Sequence, residues 1–201
     1  MTDRFLDKVY TARTAEETRA LYDDWSASYE AEVAENGYAT PGRCADALAQ
    51  FMPDKTAPVL DFGCGTGLSG LALKLAGFTT IDGVDLSADM LAQAESKGAY
   101  RALNRIEAGG AIDAGYDAIA AIGVIGAGAA PISTFDEIMN ALPQGGKFVL
   151  SFNDHALSDP VNEARISDWC DCGAARLLFK EYGPHLPGLD MKSNVYVIEK
   201  L

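Results

Sequence analysis

A short apolar stretch runs directly into a cluster of glycines: Val59-Leu60-Asp61-Phe62-Gly63-Cys64-Gly65-Thr66-Gly67-Leu68-Ser69-Gly70. Pro58 to Phe62 reads as a strand. Glycines placed right after a strand let the backbone turn sharply and come close to a ligand. The spacing predicts a helix over about residues 66–76, and the free N–H groups at its start point back toward the loop. A strand, a glycine loop and a helix in that order constrain the chain to an α/β fold with a ligand at the loop.

The rest of the chain keeps this rhythm. Strands are predicted at 79–84, 101–106, 116–122 and 147–152. Helices fall between them, one capped by Ser87 and carrying Met90, Leu91 and Ala94, another marked by Phe135, Ile138, Met139 and Leu142. Asp159-Pro160 starts a short helix reaching Trp169. Strands at 174–182 and 193–199 follow with no helix between them, so they pair as an antiparallel hairpin. Strand–helix alternation implies a mostly parallel sheet covered on both faces. The predicted fold is α/β, a Rossmann-like seven-stranded sheet with helices on both faces and a C-terminal hairpin. Residues 1–55 read as helical: Thr14 with Glu17 has capping-box spacing, Tyr22, Trp25 and Tyr29 fall near one face, Gly37 is a stop signal, and Thr40-Pro41 starts a helix that Pro53 closes. This cap is too short for a core of its own, so residues 1–201 are expected to form one domain, a cap over 1–55 and a core over 56–201.

Gly65, Gly67 and Gly70 also fit the dinucleotide pattern G-x-G-x-x-G, and the flanking acids decide between ligands. Asp61 ends the first strand beside the loop, where a carboxylate repels a pyrophosphate and favours an ammonium or sulfonium. Asp85 ends the second strand, where a carboxylate accepts hydrogen bonds from ribose hydroxyls. Together they indicate a nucleoside ligand that is not a dinucleotide.

The formal net charge is −13, which disfavours a phosphate-backbone partner. Cys44, Cys64, Cys170 and Cys172 form no C-x-x-C pair, and with His155 and His185 they make a poor metal set, so no metal is expected. The cysteines read as free thiols. No segment has the ~20 apolar residues of a membrane span, and a soluble cytoplasmic protein, monomer or homodimer, is expected.

The residues from 58 to 152 resemble the class I S-adenosylmethionine (SAM)-dependent methyltransferases. Asp61 to Gly67 is similar to their first motif and Asp82-Gly83-Val84-Asp85-Leu86-Ser87, with Met90, to their second. Tyr116-Asp117-Ala118-Ile119 looks like the strand-four motif, and Leu142-Pro143-Gln144-Gly145-Gly146 like the turn before strand five. The run Leu21 to Glu30, continuing to Gly37-Tyr38 and Pro41, resembles the methyltransferase-like protein 27 group and its bacterial relatives. The resemblance implies SAM as cofactor and S-adenosylhomocysteine (SAH) as product. Gly63, Cys64, Gly65, Thr66 and Gly67 would line the methionine part, with Asp61 facing its ammonium directly or through water. Asp85 would hold the ribose, Leu86 and Met90 would pack on adenine, and Glu107 would reach the adenine amino group. Ile122 would lie near the methionine, and Tyr22, Trp25 and Tyr29 would form a lid.

Bland readings stand beside these. Glu107 also reads as a solvated loop acid, because Ala108-Gly109-Gly110 departs from the usual run. The three aromatics also read as helix-to-sheet packing. The stretch Gly123 to Pro131 holds no side chain able to take a proton, which suggests a roomy acceptor site lined by small residues. Asn153 and His155, with neighbouring Asp154, are the nearest candidates for proton transfer, and His155 also reads as an exposed loop histidine. His185 and Tyr182 are weaker candidates. The expected activity is in-line methyl transfer to a small molecule, and the lack of polar side chains after strand four favours one that arrives already deprotonated or one that is small and apolar. The rivals are a SAM/SAH-binding protein without catalysis and a nicotinamide-dependent oxidoreductase.

Overall fold

The structure, a computed structural model, describes residue 33, residues 35–126 and residues 129–201. The Thr14–Glu17 pair and the Tyr22, Trp25 and Tyr29 face lie outside the described residues. The first full element is Thr40–Phe51 (α1). Pro41 sits in its first turn, where a missing N–H leaves no bond unmade, and Cys44, Ala45, Ala47 and Leu48 face inward. The chain continues through Val59–Phe62 (β1), Leu68–Leu75 (α2), Ile81–Asp85 (β2), Ala88–Ser96 (α3), Ala102–Arg105 (β3) and Ala118–Ala121 (β4). Ser133–Ala141 (α4), Lys147–Asn153 (β5), Asp154–Leu157 (α5), Pro160–Asp171 (α6), Ala175–Leu186 (β6) and Met191–Lys200 (β7) complete it.

The strands form one seven-stranded sheet in the order β3-β2-β1-β4-β5-β7-β6. β1 to β5 pair in parallel. β7 lies antiparallel between β5 and β6. The predicted Rossmann-like sheet and its closing hairpin are therefore present. β1 and β4 are neighbours, and the chain leaves them toward opposite edges. Such a switch point opens a crevice at the carboxyl ends of the strands, where ligands bind in folds of this kind.

Alternation along the strands divides the core in two. Leu60, Ile119, Phe148, Leu150 and Phe152 meet Phe135, Ile138 and Met139 of α4 on one face. Val59, Ile81, Ala118, Ala120 and Val149 meet Cys44 and Leu48 of α1 and Leu73 of α2 on the other. β4 reads Ala-Ile-Ala-Ala and is fully buried. Alanine is a poor strand former, but here its small side chain lets helices on either face lie close to the centre of the sheet.

The C-terminal hairpin departs from the expected boundaries. Gly183 and Pro184 belong to β6, and the turn shrinks to a 3₁₀ turn at Pro187–Leu189. β6 is the edge of the sheet, and its register with β7 shifts between Leu177 and Phe179 and again between Pro184 and Leu186. Proline is tolerated at such an irregular edge because no ladder bond needs its nitrogen. Among the described residues, no helix is long and apolar enough to cross a membrane. All four cysteines are free thiols.

Candidate active site

The glycine loop closes off β1 against β2. Gly63 and Cys64 both donate backbone N–H groups to Val84 O, at 2.8 and 3.0 Å. Gly65 N–H donates to Asp85 Oδ2 at 2.8 Å, and Gly67 N–H to Cys64 O at 2.9 Å. The other Asp85 oxygen accepts from Ser87 N–H at 2.9 Å, and Ser87 Oγ in turn caps α3 through Met90 N–H. Four amides of the loop are thus spent inside the chain, one of them on a carboxylate. The loop presents negative charge where a dinucleotide would require positive.

Asp61 lies beneath the loop, 1% exposed. Its Oδ2 accepts from Ser69 Oγ at 2.6 Å and from the Tyr100 hydroxyl at 2.8 Å. Its Oδ1 is buried without a partner, as is Thr66 Oγ1. Burial is the largest influence on the Asp61 carboxyl and raises its pKa to about 6; the Ser69 and Tyr100 bonds oppose the rise and the Asp85 charge adds to it. Burial likewise pushes the Cys64 thiol far up, with Asp61 and Asp85 adding to the rise, which leaves it an inert neutral group at neutral pH.

Above this layer is a cavity of about 710 Å³ at the carboxyl ends of β1, β2 and β4. Such a volume suits a cofactor-sized ligand. One end is formed by Gly63 to Thr66, Asp85 to Ser87, Met90 and Ile106 to Gly110. The other is formed by Ile122 to Val124, Gly126, Ala129 to Pro131 and the outer turns of α4, with Tyr38 and Pro41 facing them. Gly63 has φ +70°, and a Cβ there would lie 2.7 Å from Val124 Cγ2, so glycine is needed both for its conformation and for the approach of the two ends. Tyr38 is held in the wall by an edge-on contact with His185, centroids 5.2 Å apart. His185 is 6% exposed and shares a 2.8 Å hydrogen bond with Thr40 through Nδ1. Burial lowers its pKa to about 4, so it is neutral and structural at physiological pH.

These features agree with what the chain is similar to. The profile described as "Methyltransferase domain" matches residues 37–187. The chain belongs to the methyltransferase-domain family. Human methyltransferase-like protein 27 is 33% identical over 131 residues, covering 62% of this chain and 54% of that protein. The match therefore spans about half the length of that relative. Magnesium protoporphyrin IX methyltransferase from Synechocystis PCC 6803, solved with bound SAM, superposes with a TM-score of 0.62 at 15% identity, covering 98% of this chain and 90% of that one. The cyclase SpnF gives 0.66 at 17% identity, over 94% and 97%. A putative RNA methyltransferase from Pyrococcus horikoshii gives 0.60 at 15% identity, over 82% and 85%. These three likenesses concern the fold.

Within this methyltransferase domain, Gly63, Cys64, Gly65, Thr66, Asp85, Leu86, Met90, Glu107 and Ile122 all line the one cavity. Gly67 is not among the lining residues. It precedes α2 with φ 92°, and a Cβ on it would lie 3.0 Å from the Ala94 backbone of α3. Asp61 sits behind the lining rather than in it. Glu107 is on the rim, its side chain 78% exposed and 3.8 Å from Arg105. Asn153 and His155 are not lining residues. Asn153 caps α5 by accepting from Ala156 N–H at 3.0 Å, and His155 is exposed on that helix. Tyr182 donates to Asp154 Oδ1 at 2.7 Å on the surface. Sequence reasoning missed Tyr38 and Tyr100. The motif context of Tyr38 was visible in Gly37-Tyr38 and Pro41, but no local pattern shows that Tyr100 reaches Asp61.

Proposed function

We propose that the protein is a SAM-dependent methyltransferase that moves a methyl group in line to a small-molecule acceptor. The observation that carries this is the pairing, in one cavity, of the Asp85 carboxylate and the self-satisfied glycine loop with an end walled by small residues. The ribose would bond Asp85, adenine would pack on Leu86 and Met90, and the amino-acid part would lie along Gly63 to Thr66. Buried, unpartnered Thr66 Oγ1 and Asp61 Oδ1 fit a polar, positively charged ligand, since unmade buried hydrogen bonds are costly until something supplies them. SAM supplies a methyl on a sulfonium, which leaves as a neutral thioether.

The residues of the chain then have to orient the acceptor and exclude water. Alignment of this sort supplies up to ~7–11 kcal/mol of a barrier. Among the described lining residues the charged groups are Asp85, Glu107 and Glu137, and no Lys, Arg or His is present. An anionic acceptor would enter a cavity whose charged lining is wholly acidic, with Glu137 at the acceptor end itself, so of the acceptors expected from sequence the reading favours a neutral molecule, or an amine, over an already deprotonated one. The net charge of −13 weighs against a nucleic-acid acceptor in the same way. The same reading takes the chain as one domain working in the cytoplasm, as monomer or homodimer.

Thermal melts with SAM, SAH and NAD(H) test the cofactor. At one hundred times Kd, SAM or SAH should stabilise the fold by about 2.7 kcal/mol and NAD(H) should not. Folded protein that gives no calorimetric heat with either SAM or SAH would refute the reading. A screen of amines, phenols and carboxylates with labelled SAM then identifies the acceptor. The absence of basic side chains from the described acceptor end favours, as a second reading, SAM binding without transfer. Slow SAH release that no acceptor accelerates would select it.

A further inference from the structure

Tyr100 lies just before β3, outside the cavity lining, yet its hydroxyl joins two parts of the glycine loop. It donates to Asp61 Oδ2 at the end of β1 and accepts from Gly70 N–H in the first turn of α2, at 2.8 and 3.1 Å. The first amides of a helix have no partner within it, and the residue preceding α2 is Gly67, which has no side chain to cap them. The cap comes instead from a residue thirty positions downstream. The ring needs room for this. A Cβ on Gly70 would collide with the Tyr100 ring, and one on Gly83 would lie 2.9 Å from it. The third glycine of the G-x-G-x-x-G pattern therefore serves Tyr100 and not a phosphate.

We propose that Tyr100 is a positioning residue for the methyl donor, bracing the glycine loop and fixing the Asp61 carboxylate through one shared hydroxyl. This rests on the SAM reading above. The Gly70 N–H, the tyrosine O–H and the carboxylate form a line of hydrogen bonds that polarise one another, so each strengthens the next. The ionisable groups facing Asp61 are Tyr100, Asp85, Cys64 and, from α1, Cys44. Of the influences on the Asp61 carboxyl, the bonds from Ser69 and Tyr100 favour its ionised form, while burial and the Asp85 charge oppose it. Removing the Tyr100 hydroxyl shifts that balance toward the neutral acid, which holds an ammonium less well. It also leaves the Gly70 amide uncapped, so the loop loosens.

Tyr100→Phe tests this with SAM as the probe in calorimetric titrations from pH 5 to 8. The expected result is ~10-fold weaker binding at pH 7, the scale of one hydrogen bond to a charged group. The acid limb of the affinity profile should also move to higher pH. Ser69→Ala removes the other bond to Asp61 and should move the same limb. Hydrogen exchange at Gly70 in the free protein should quicken in Tyr100→Phe and stay unchanged in Ser69→Ala. A Tyr100→Phe protein that melts earlier but keeps the SAM affinity and acid limb of the unaltered protein overturns the proposal alone. Unaltered protein that binds no SAM overturns the cofactor reading, and the proposal with it.

Discussion

The two ends of the cavity are built from different materials. At the donor end directed hydrogen bonds hold the carboxylates: Asp85 spans Gly65 and Ser87, and one oxygen of Asp61 is gripped by Ser69 and Tyr100, while Asp61 Oδ1 and Thr66 Oγ1 are left for a ligand. At the acceptor end small residues, Gly123, Val124, Gly126, Ala129, Ala130 and Pro131, make one wall, facing Tyr38 and bordered by Glu137 of α4, with Gly123 N–H tied outward to Ser151 Oγ at 2.9 Å. The first end specifies its ligand by directed hydrogen bonds, which lose strength steeply with misalignment. The second specifies mainly by volume, where one methylene more or less is worth only ~1–3 kcal/mol. Recognition of the donor should therefore be brittle to single substitutions, and recognition of the acceptor graded.

Three substitutions test that contrast. Asp85→Ala should do most damage, because it removes the ribose acceptor and releases the Gly65 amide. Calorimetry should show SAM affinity down ~100-fold, about 3 kcal/mol, for lost bonds to a charged group. Affinity within a factor of three of the unaltered protein would break the ribose assignment.

Asp61→Asn should act in opposite directions on binding and on stability. The carboxyl titrates near pH 6 when folded, against an ordinary value of 3.8. Between those values the folded state holds more protons than the unfolded state, so free-protein stability falls as pH rises through that window. The substitution should then change the unfolding free energy little at pH 4 and raise it above pH 6, by roughly 2–3 kcal/mol at most, with the melting point moving in the same direction. It should weaken SAM binding over the same range. A melting point lowered equally at both pH values would remove the buried-charge account.

The acceptor end should respond least. Ala129→Leu should alter acceptor preference by a few-fold while SAM affinity stays within about twofold, the scale of added bulk in an apolar pocket. Competition assays with acceptors of increasing size would measure it. A loss of SAM affinity as large as that of Asp85→Ala would erase the distinction between the ends.

The same division separates what was legible in the sequence from what was not. Contiguous motifs such as Asp61 to Gly67 and Asp82 to Ser87 located the loop end of the cavity, because strand, loop and helix N-terminus are adjacent in the chain and their chemistry is local. Strand count and the closing hairpin followed from periodicity. The length of β6 did not, since Gly183-Pro184 reads as a turn until a neighbouring strand supplies the ladder. Tyr100 escaped because its partners are 30 and 39 residues away. Asn153 and His155 attracted attention as polar residues after β5, a position that here starts the one-turn helix α5. Polarity near the end of a strand did not distinguish a cap from a catalyst.

The outer edge of β6 carries a further consequence. A twelve-residue border strand would ordinarily offer neighbouring molecules a long row of open backbone groups. Here two slips in register and a proline interrupt the row, and Arg176, Lys180 and Glu181 stud it with charge. The hairpin can thus extend well past the parallel strands without acting as a template on which other chains would zip up in a crowded solution.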